Sequence, residues 1–249
     1  AKSALRRGAY DYITKPITLN RVLISLENAL RRRQLEIANR NYQEDLERMI
    51  VQRTAKLQKA FEGTIQATAL TVEWRDPYTA GHQKRVADLA CAIAKECGFS
   101  DEQIDGVRVA GNIHDLGKIA IPAEILSKPS RLTENEFNLI KEHSQVGYDI
   151  LKEIELPWPI ADIVRQHHEK LDGTGYPQGL SGEEILIEAR LITVADVVEA
   201  MASHRPYRPS LGIQKALDEI EKHKGDWFEP DFVDACLEMF NQKKYTLEY

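Results

Sequence analysis

Apolar residues recur at helical spacing from about residue 67 to the end of the chain, and no stretch alternates as a strand would. One predicted helix, which Gly98 stops, carries the apolar face Val86, Leu89, Ala90, Ile93, Ala94 and Cys97. Capping-box sequences at 100–103 and 133–136 predict the starts of two more helices. A buried helix is predicted from Ala189 to Met201, and two others around 210–223 and 230–242. This region is therefore predicted to be all-α.

The first thirty residues show a different pattern. They read as a short helix, a turn at Gly8, a short strand, a Lys15-Pro16 step and a helix over 17–30. This order resembles the last strand and helix of a response-regulator receiver domain, in which Lys15 would be the invariant lysine. One strand cannot form an α/β sandwich, so no phosphorylation is predicted here, and we expect the chain to be part of a longer protein.

Residues 31–66 are rich in Arg, Lys, Glu, Gln and Asn, and contain no Pro. A 4-3-4-3 spacing picks out a weak heptad seam, interrupted by an arginine: Leu46, Ile50, Arg53, Leu57, Ala60, Thr64 and Ala67. A single solvated helix and a parallel two-stranded linker both fit this pattern. We favour the two-stranded linker, which would make the protein a homodimer.

Charge, hydrophobicity and cysteine content exclude several classes of function for this chain. The formal net charge of −6 argues against a nucleic-acid polymer as partner. No segment approaches the roughly 20 apolar residues of a membrane span, and no signal peptide is visible, so a cytoplasmic protein without membrane contact is predicted. The three cysteines form no CxxC and are predicted to be core residues.

Five of the seven histidines fall on or beside apolar helix faces, together with two aspartates: His82, His114, Asp115, His143, His167, His168 and Asp196. A lone histidine of this kind is more often a hydrogen-bonded core residue. Buried carboxylates, however, are costly unless they are paired or bind a metal. Together, these nitrogen and oxygen donors suit first-row divalent metals. Seven ligands exceed a tetrahedral zinc site and predict at least two ions, with Asp115 as the bridge.

Residues 67–249 resemble an HD-GYP domain, the family of bacterial cyclic di-GMP phosphodiesterases. The resemblance rests on five runs of residues: 75–82, His114-Asp115-Leu116-Gly117-Lys118, His167-His168-Glu169, Asp172-Gly173 with Gly175-Tyr176-Pro177, and Ala195-Asp196. It implies an all-α helical bundle of the HD superfamily, preceded by a receiver remnant (1–30) and a helical linker (31–66). It also implies a hydrolase that cleaves cyclic di-GMP to linear pGpG, with or without further cleavage to GMP.

The resemblance also implies a role for each matching residue. His82, His114, Asp115 and Asp196 would hold one metal, and Asp115, His143, His167 and His168 the other. Lys118 would protonate the leaving oxygen or neutralise the phosphate, and Asp76 would orient Lys118 or the water. The substrate would be bound by Tyr176, Gly175, Arg205 and Arg208. Glu169 is expected to support the site rather than to bind metal.

Some family members carry a glutamate, associated with a third metal, four residues before the first histidine. That position is Tyr78 here, so two ions are expected, with iron or manganese favoured by the resemblance. Two alternatives remain open: a phosphohydrolase for another cyclic dinucleotide, and a module that binds nucleotide without turnover.

Overall fold

The protein is described from a computed structural model that covers residue 6 and residues 8–75, 80–204 and 210–247. The α-helices given bounds within these ranges run in order: α1 Leu19–Glu73, α2 His82–Glu96, α3 Asp101–Ile113, α4 Ala123–Leu126, α5 Glu134–Leu151, α6 Ile160–Gln166, α7 Ile187–Ala202, α8 Ile213–Lys222 and α9 Pro230–Asn241. Short 3-10 helices span Leu116–Ala120 and Gly182–Glu184. No β-strand occurs in the described ranges, which confirms the all-α prediction.

The chain divides into two compact units, Ala1–Phe61 and Glu62–Tyr249. In the first, residues 8–18 form turns and irregular backbone instead of the predicted strand. A strand needs a neighbour to pair its N–H and C=O groups, and the described residues of this unit contain no second strand. The helix predicted for 17–30 begins at Leu19 and continues without a break through the predicted linker.

Most of α1 in this first unit is exposed. Of the predicted heptad residues, Leu46 is partly buried, whereas Ile50 and Leu57 are 63% and 72% exposed. The burial of apolar side chains contributes most of a helix's stability in a protein. In a single copy of the chain, this seam therefore contributes little to stability.

The second unit is organised around α7. This helix buries apolar side chains on nearly every side and packs against α2 and α8. Leu191, Ile192, Val194 and Val198 are fully buried in one continuous core. Burial of each such side chain stabilises the folded state by roughly 1.5–3 kcal/mol. A helix this deeply buried gives a rigid base for any polar residue that it carries.

Both predicted capping boxes are confirmed. The Ser100 side chain accepts from the Gln103 backbone at the start of α3, and Thr133 does the same with Glu136 at the start of α5. These two helices are thus fixed at their first residues. One candidate metal ligand, His114, directly follows α3, and another, His143, lies in the middle of α5.

The 3-10 helix over Leu116–Ala120 packs against α5 through two glycines. A Cβ on Gly117 would lie 1.9 Å from the His143 carbonyl oxygen and 2.6 Å from the Gly147 nitrogen. The backbones can approach this closely only because both residues lack side chains. The contact places the loop after α3 directly beside His143.

Within the described part of the chain, no helix combines the length and apolar character that a membrane crossing requires.

Candidate metal centre

His82 is the first residue of α2 and is almost fully buried. The preceding Gly81 has φ 72°, in the left-handed region that favours glycine, and this turns the chain into the helix. The His82 Nε2 atom lies 3.2 Å from Asp196 Oδ1 on α7. Its other ring nitrogen, Nδ1, hydrogen-bonds to the carboxylate of Glu199, one turn further along α7.

His114 ends α3 and is completely buried. Its Nδ1 donates to the Gly111 carbonyl oxygen at 2.7 Å, which leaves Nε2 without a proton in the neutral ring. That buried Nε2 has no hydrogen-bond partner among the described residues. It faces Asp115 Oδ2 at 3.6 Å and Asp196 Oδ1 at 3.9 Å, as a metal ligand would.

Asp115 lies between two groups of histidines. Its Oδ2 faces His82 Nε2 at 3.8 Å and its Oδ1 faces His143 Nε2 at 3.5 Å. Lys118 donates to Oδ2 at 2.6 Å from the 3-10 helix that begins just after Asp115. Each oxygen of this carboxylate thus serves a different group, which is the arrangement of a bridging ligand.

His143 on α5 and His167 at the end of α6 face each other, with 3.3 Å between their Nε2 atoms. Each Nδ1 donates to a backbone carbonyl, at Ile140 and Val164 respectively. With Nδ1 protonated, both neutral rings point an Nε2 lone pair into the same space. Two lone pairs in contact repel, and a cation between or beside them removes the conflict. The donor set therefore fits a metal ion.

The ligand atoms fall into two groups. In one, His82, His114 and Asp115 have their ligand atoms within 4.8 Å of one another, and in the other His143, His167 and His168 do. Asp196 adjoins the first group, and Asp115 reaches both. All seven residues predicted as metal ligands are thus brought together.

Burial and neighbouring charges together set the protonation states of the histidines and aspartates in this centre. Burial lowers the pKa of His143 to about 4 and that of His168 to about 3, and it holds the pKa of His167 well below the usual range. Burial alone would raise the pKa of Asp115, but Lys118 and the nearby imidazoles bring it well below the ordinary value. For Asp196, the hydrogen bond and charge of His82 outweigh burial in the same way, so its pKa is also lowered. Neutral histidine and ionised aspartate are the forms that bind metals.

The turn after the His167-His168 pair is held by Glu169. This buried carboxylate accepts hydrogen bonds from the backbone nitrogens of residues 178, 179 and 180, at 2.7, 3.2 and 3.0 Å. A Cβ on Gly175 would lie 2.4 Å from Glu169 Cα, so this glycine permits close approach of two backbones. Gly173 has φ 77°, in the left-handed region that favours glycine, and provides a sharp bend in the same turn.

Tyr176 lies over the second group. Its ring centroid is 4.7 Å from that of His168, with the rings tilted by 34°. Burial, with Asp196 and Asp115 nearby, raises the pKa of the Tyr176 hydroxyl, so it remains protonated and can donate a hydrogen bond. Lys141 on α5 places its ammonium 5.5 Å from the centroid of the same ring.

Glu199 is a residue that the sequence reasoning missed. It is fully buried, and its carboxylate contacts His82 and accepts from Arg85 Nε at 2.7 Å and from the Ser203 hydroxyl at 2.6 Å. Burial opposes ionisation, but these three partners lower the pKa of Glu199 to about 2. Its position three residues after Asp196, in an otherwise apolar helix, is the signal that could have identified it.

Four residues named from the sequence lie outside the described residues: Asp76, Tyr78, Arg205 and Arg208. Their predicted parts in catalysis, metal binding and substrate binding stay predictions.

Comparison with known proteins places this geometry in context. Residues 66–232 match the HD domain family. The cyclic di-GMP phosphodiesterase response regulator RpfG of Xanthomonas campestris pv. campestris is 35% identical over 238 residues, which cover 95% of this chain and 63% of that protein. A cyclic di-GMP phosphodiesterase of Thermotoga maritima is 34% identical over 257 residues, which cover 100% of this chain and 69% of that protein.

Among solved structures, the HD domain of the L. monocytogenes phosphodiesterase PgpH, in complex with cyclic-di-AMP, shares the fold. The alignment has a TM-score of 0.52 at 24% identity and covers 74% of this chain and 100% of that one. This chain therefore spans the whole of a solved HD domain, but less than two thirds of the Xanthomonas relative.

Proposed function

The chain belongs to the HD domain family, and we propose that it is a metal-dependent phosphodiesterase that hydrolyses cyclic di-GMP to the linear dinucleotide pGpG. The observation that carries this proposal is the pair of ligand groups that share Asp115, with unprotonated histidine nitrogens directed into each. Relatives over the length of this chain are named as cyclic di-GMP phosphodiesterases, which supports this substrate.

We assign the first ion to His82, His114, Asp115 and Asp196, and the second to Asp115, His143, His167 and His168. Histidine and carboxylate ligands accept several first-row divalent metals, and we favour iron or manganese because of the family resemblance. Two such ions, when bound, supply a nucleophile at neutral pH and stabilise negative charge on a phosphoryl group. The relevant chemistry is the addition of one water to one phosphodiester, with cleavage of one P–O bond.

Each cleavage moves one proton from water to the leaving group. Water releases a proton as it adds to phosphorus, the departing ribose oxygen takes a proton from a residue of the chain, and that residue is reprotonated by the proton that the water released. Among the described lysines, only Lys118 contacts Asp115, with its ammonium 2.6 Å from Oδ2. We assign Lys118 as the proton donor to the departing ribose oxygen. Asp76 is assigned to orient Lys118 or the water.

Substrate contacts are assigned to the turn and to a basic segment. Tyr176 presents a protonated hydroxyl and an aromatic face beside His168, and Gly175 keeps the turn close enough for this. Arg205 and Arg208 are assigned to phosphate or guanine, because a guanidinium offers two parallel donors.

The remaining assignments concern the whole chain. Residues 1–30 would be the end of a receiver domain, 31–66 a linker that pairs two copies into a homodimer, and 67–249 the HD-GYP domain of a cytoplasmic response regulator.

The test is a hydrolysis assay of the purified chain, loaded with metal in the absence of oxygen and with its metal content measured. Cyclic di-GMP should be cleaved, and Asp115→Ala and His167→Ala should abolish turnover. Faster cleavage of another cyclic dinucleotide would reassign the substrate. Binding without turnover in every metal form would contradict an enzymatic role.

A further inference from the structure

The histidines of the centre are not all held in the same way. His114, His143 and His167 each donate Nδ1–H to the carbonyl three residues earlier in the chain, at 2.6 to 2.7 Å. His82 is the first residue of α2, so its own helix has no earlier turn to supply such a carbonyl. It donates instead to a carboxylate, that of Glu199 on α7.

The Glu199 carboxylate is itself firmly held. Its Oε1 accepts from Arg85 Nε at 2.7 Å and from the Ser203 hydroxyl at 2.6 Å, while Oε2 contacts His82. Arg85 lies on α2 and Ser203 directly follows α7, so the carboxylate joins the two helices that carry His82 and Asp196. An acceptor fixed on three sides fixes the ring that donates to it.

A carboxylate acceptor also changes the imidazole. A negatively charged partner on Nδ1–H makes the opposite nitrogen a stronger metal donor than a neutral carbonyl does, and the loss of such partners typically costs about 10- to 100-fold in metal affinity. The two ligand groups also differ in their number of carboxylates. Among the described residues, the first group has both Asp115 and Asp196, whereas the second has only the shared Asp115.

We propose that Glu199 is a positioning residue that orients His82 and makes the His82, His114, Asp115 and Asp196 half of the centre the tighter metal site. This half fills first, and the His143, His167 and His168 half fills at higher metal concentration. The inference rests on the proposed metal centre but not on the identity of the substrate.

The experiment is a calorimetric titration of the chelator-treated full chain with Mn²⁺ alone. The wild type should bind in two steps of different affinity. Glu199→Gln removes the negative charge with little change in volume, and should raise the dissociation constant of the tighter step about 10- to 100-fold while the weaker step stays unchanged. His143→Ala should remove the weaker step and keep the tighter one.

Glu155→Gln is the matched control, because it makes the same chemical change at an exposed glutamate outside the metal centre. It should leave both steps as in the wild type. Circular dichroism checks the fold of each variant. If Glu199→Gln does not fold, Glu199→Asp, which keeps the charge but withdraws it by one methylene, should still weaken the tighter step alone.

An unchanged tighter step in Glu199→Gln, or equal weakening of both steps, would overturn the proposal. Because no nucleotide is present, the outcome is separate from that of the hydrolysis assay. A chain that fails to cleave cyclic di-GMP but shows the selective loss would retain this inference without the proposed function.

Discussion

At the scale of single residues, the pH dependence of the metal-free protein follows from its buried histidines. Burial lowers the pKa of His143 to about 4 and that of His168 to about 3, whereas an unfolded chain takes up a proton near pH 6.5. As the pH falls from about 6.5 to about 4, the unfolded state gains protons that the folded state does not. The free energy of unfolding should therefore decrease across this window.

Urea unfolding of the metal-free protein between pH 7 and pH 4 measures this effect. His143→Asn should reduce the slope of stability against pH, because one of the contributing groups is gone. A slope identical to that of the wild type would contradict the assignment of His143 as a buried neutral residue.

A second prediction for a single residue concerns Lys118. Its ammonium contacts Asp115 at 2.6 Å and is placed to give a proton to a leaving oxygen. Lys118→Gln should lower kcat by about 100-fold or more, with metal content retained. Lys152→Gln removes an exposed lysine that pairs with Asp149, and should leave kcat unchanged. Equal activities in the two variants would remove Lys118 from the mechanism.

At the scale of secondary-structure elements, a capping box stabilises the start of α5, the helix that carries His143. The Thr133 side chain caps this helix, and Glu136 accepts in return from the Thr133 backbone nitrogen at 2.7 Å. Thr133→Ala should lower the free energy of unfolding by about 1 kcal/mol. Thr133→Ser keeps the hydroxyl and serves as the control; similar losses in both variants would argue against the cap.

Gly117 tests the packing of the 3-10 helix on α5. A methyl group there would meet the His143 carbonyl oxygen at 1.9 Å, and backbone atoms cannot rotate away as a side chain can. Gly117→Ala should cost about 1–3 kcal/mol or more, and should reduce metal binding because α5 must shift. Gly63→Ala, with no atom within 4 Å, is the control and should be neutral or stabilising. Wild-type stability in Gly117→Ala, measured by thermal unfolding, would contradict the close contact.

Sequence patterns predicted the elements better than their connections. The helical spacing of apolar residues from Val86 to Cys97 and the capping box at Thr133 both specify helices locally. The structure has helices at both places. The strand predicted near Tyr12 is not observed, because strand formation depends on partners that no local pattern supplies. The seven candidate ligands could be named, since buried polar residues stand out in apolar helices. Glu199 was missed although its spacing from Asp196 was a signal in the sequence, because its contact with His82 depends on how α7 meets α2.

At the scale of the whole molecule, the division at residue 61 predicts an independent catalytic unit. A protein of residues 62–249 should fold and unfold cooperatively, and should hydrolyse the substrate of the full chain. Thermal unfolding and the hydrolysis assay measure both. Failure to fold would show that the second unit requires the first.

The exposed seam of α1 makes a separate prediction about assembly. Ile50 and Leu57 leave most of their apolar surface in water, which a second copy of the helix could cover. Light scattering should give a dimer for the full chain and a monomer for the double variant Ile50→Lys with Leu57→Lys. Val51→Lys, off the seam but 69% exposed, should remain dimeric. A monomeric wild type would favour the single solvated helix.

The three hydrogen bonds to Glu169 restrict which sequences the turn can carry. Gln178, Gly179 and Leu180 each contribute a backbone N–H, and none contributes its side chain to these bonds. Many side chains are therefore compatible at the exposed Gln178, and apolar ones at Leu180, which packs against the core. Proline is not compatible at either position, because it has no N–H to give. Proline at any of these three positions would leave a buried carboxylate oxygen with one partner fewer. A library randomised at 178 and 180, with Gly179 kept because its φ is 70°, and selected for activity should accept varied residues at 178 and reject proline at both positions.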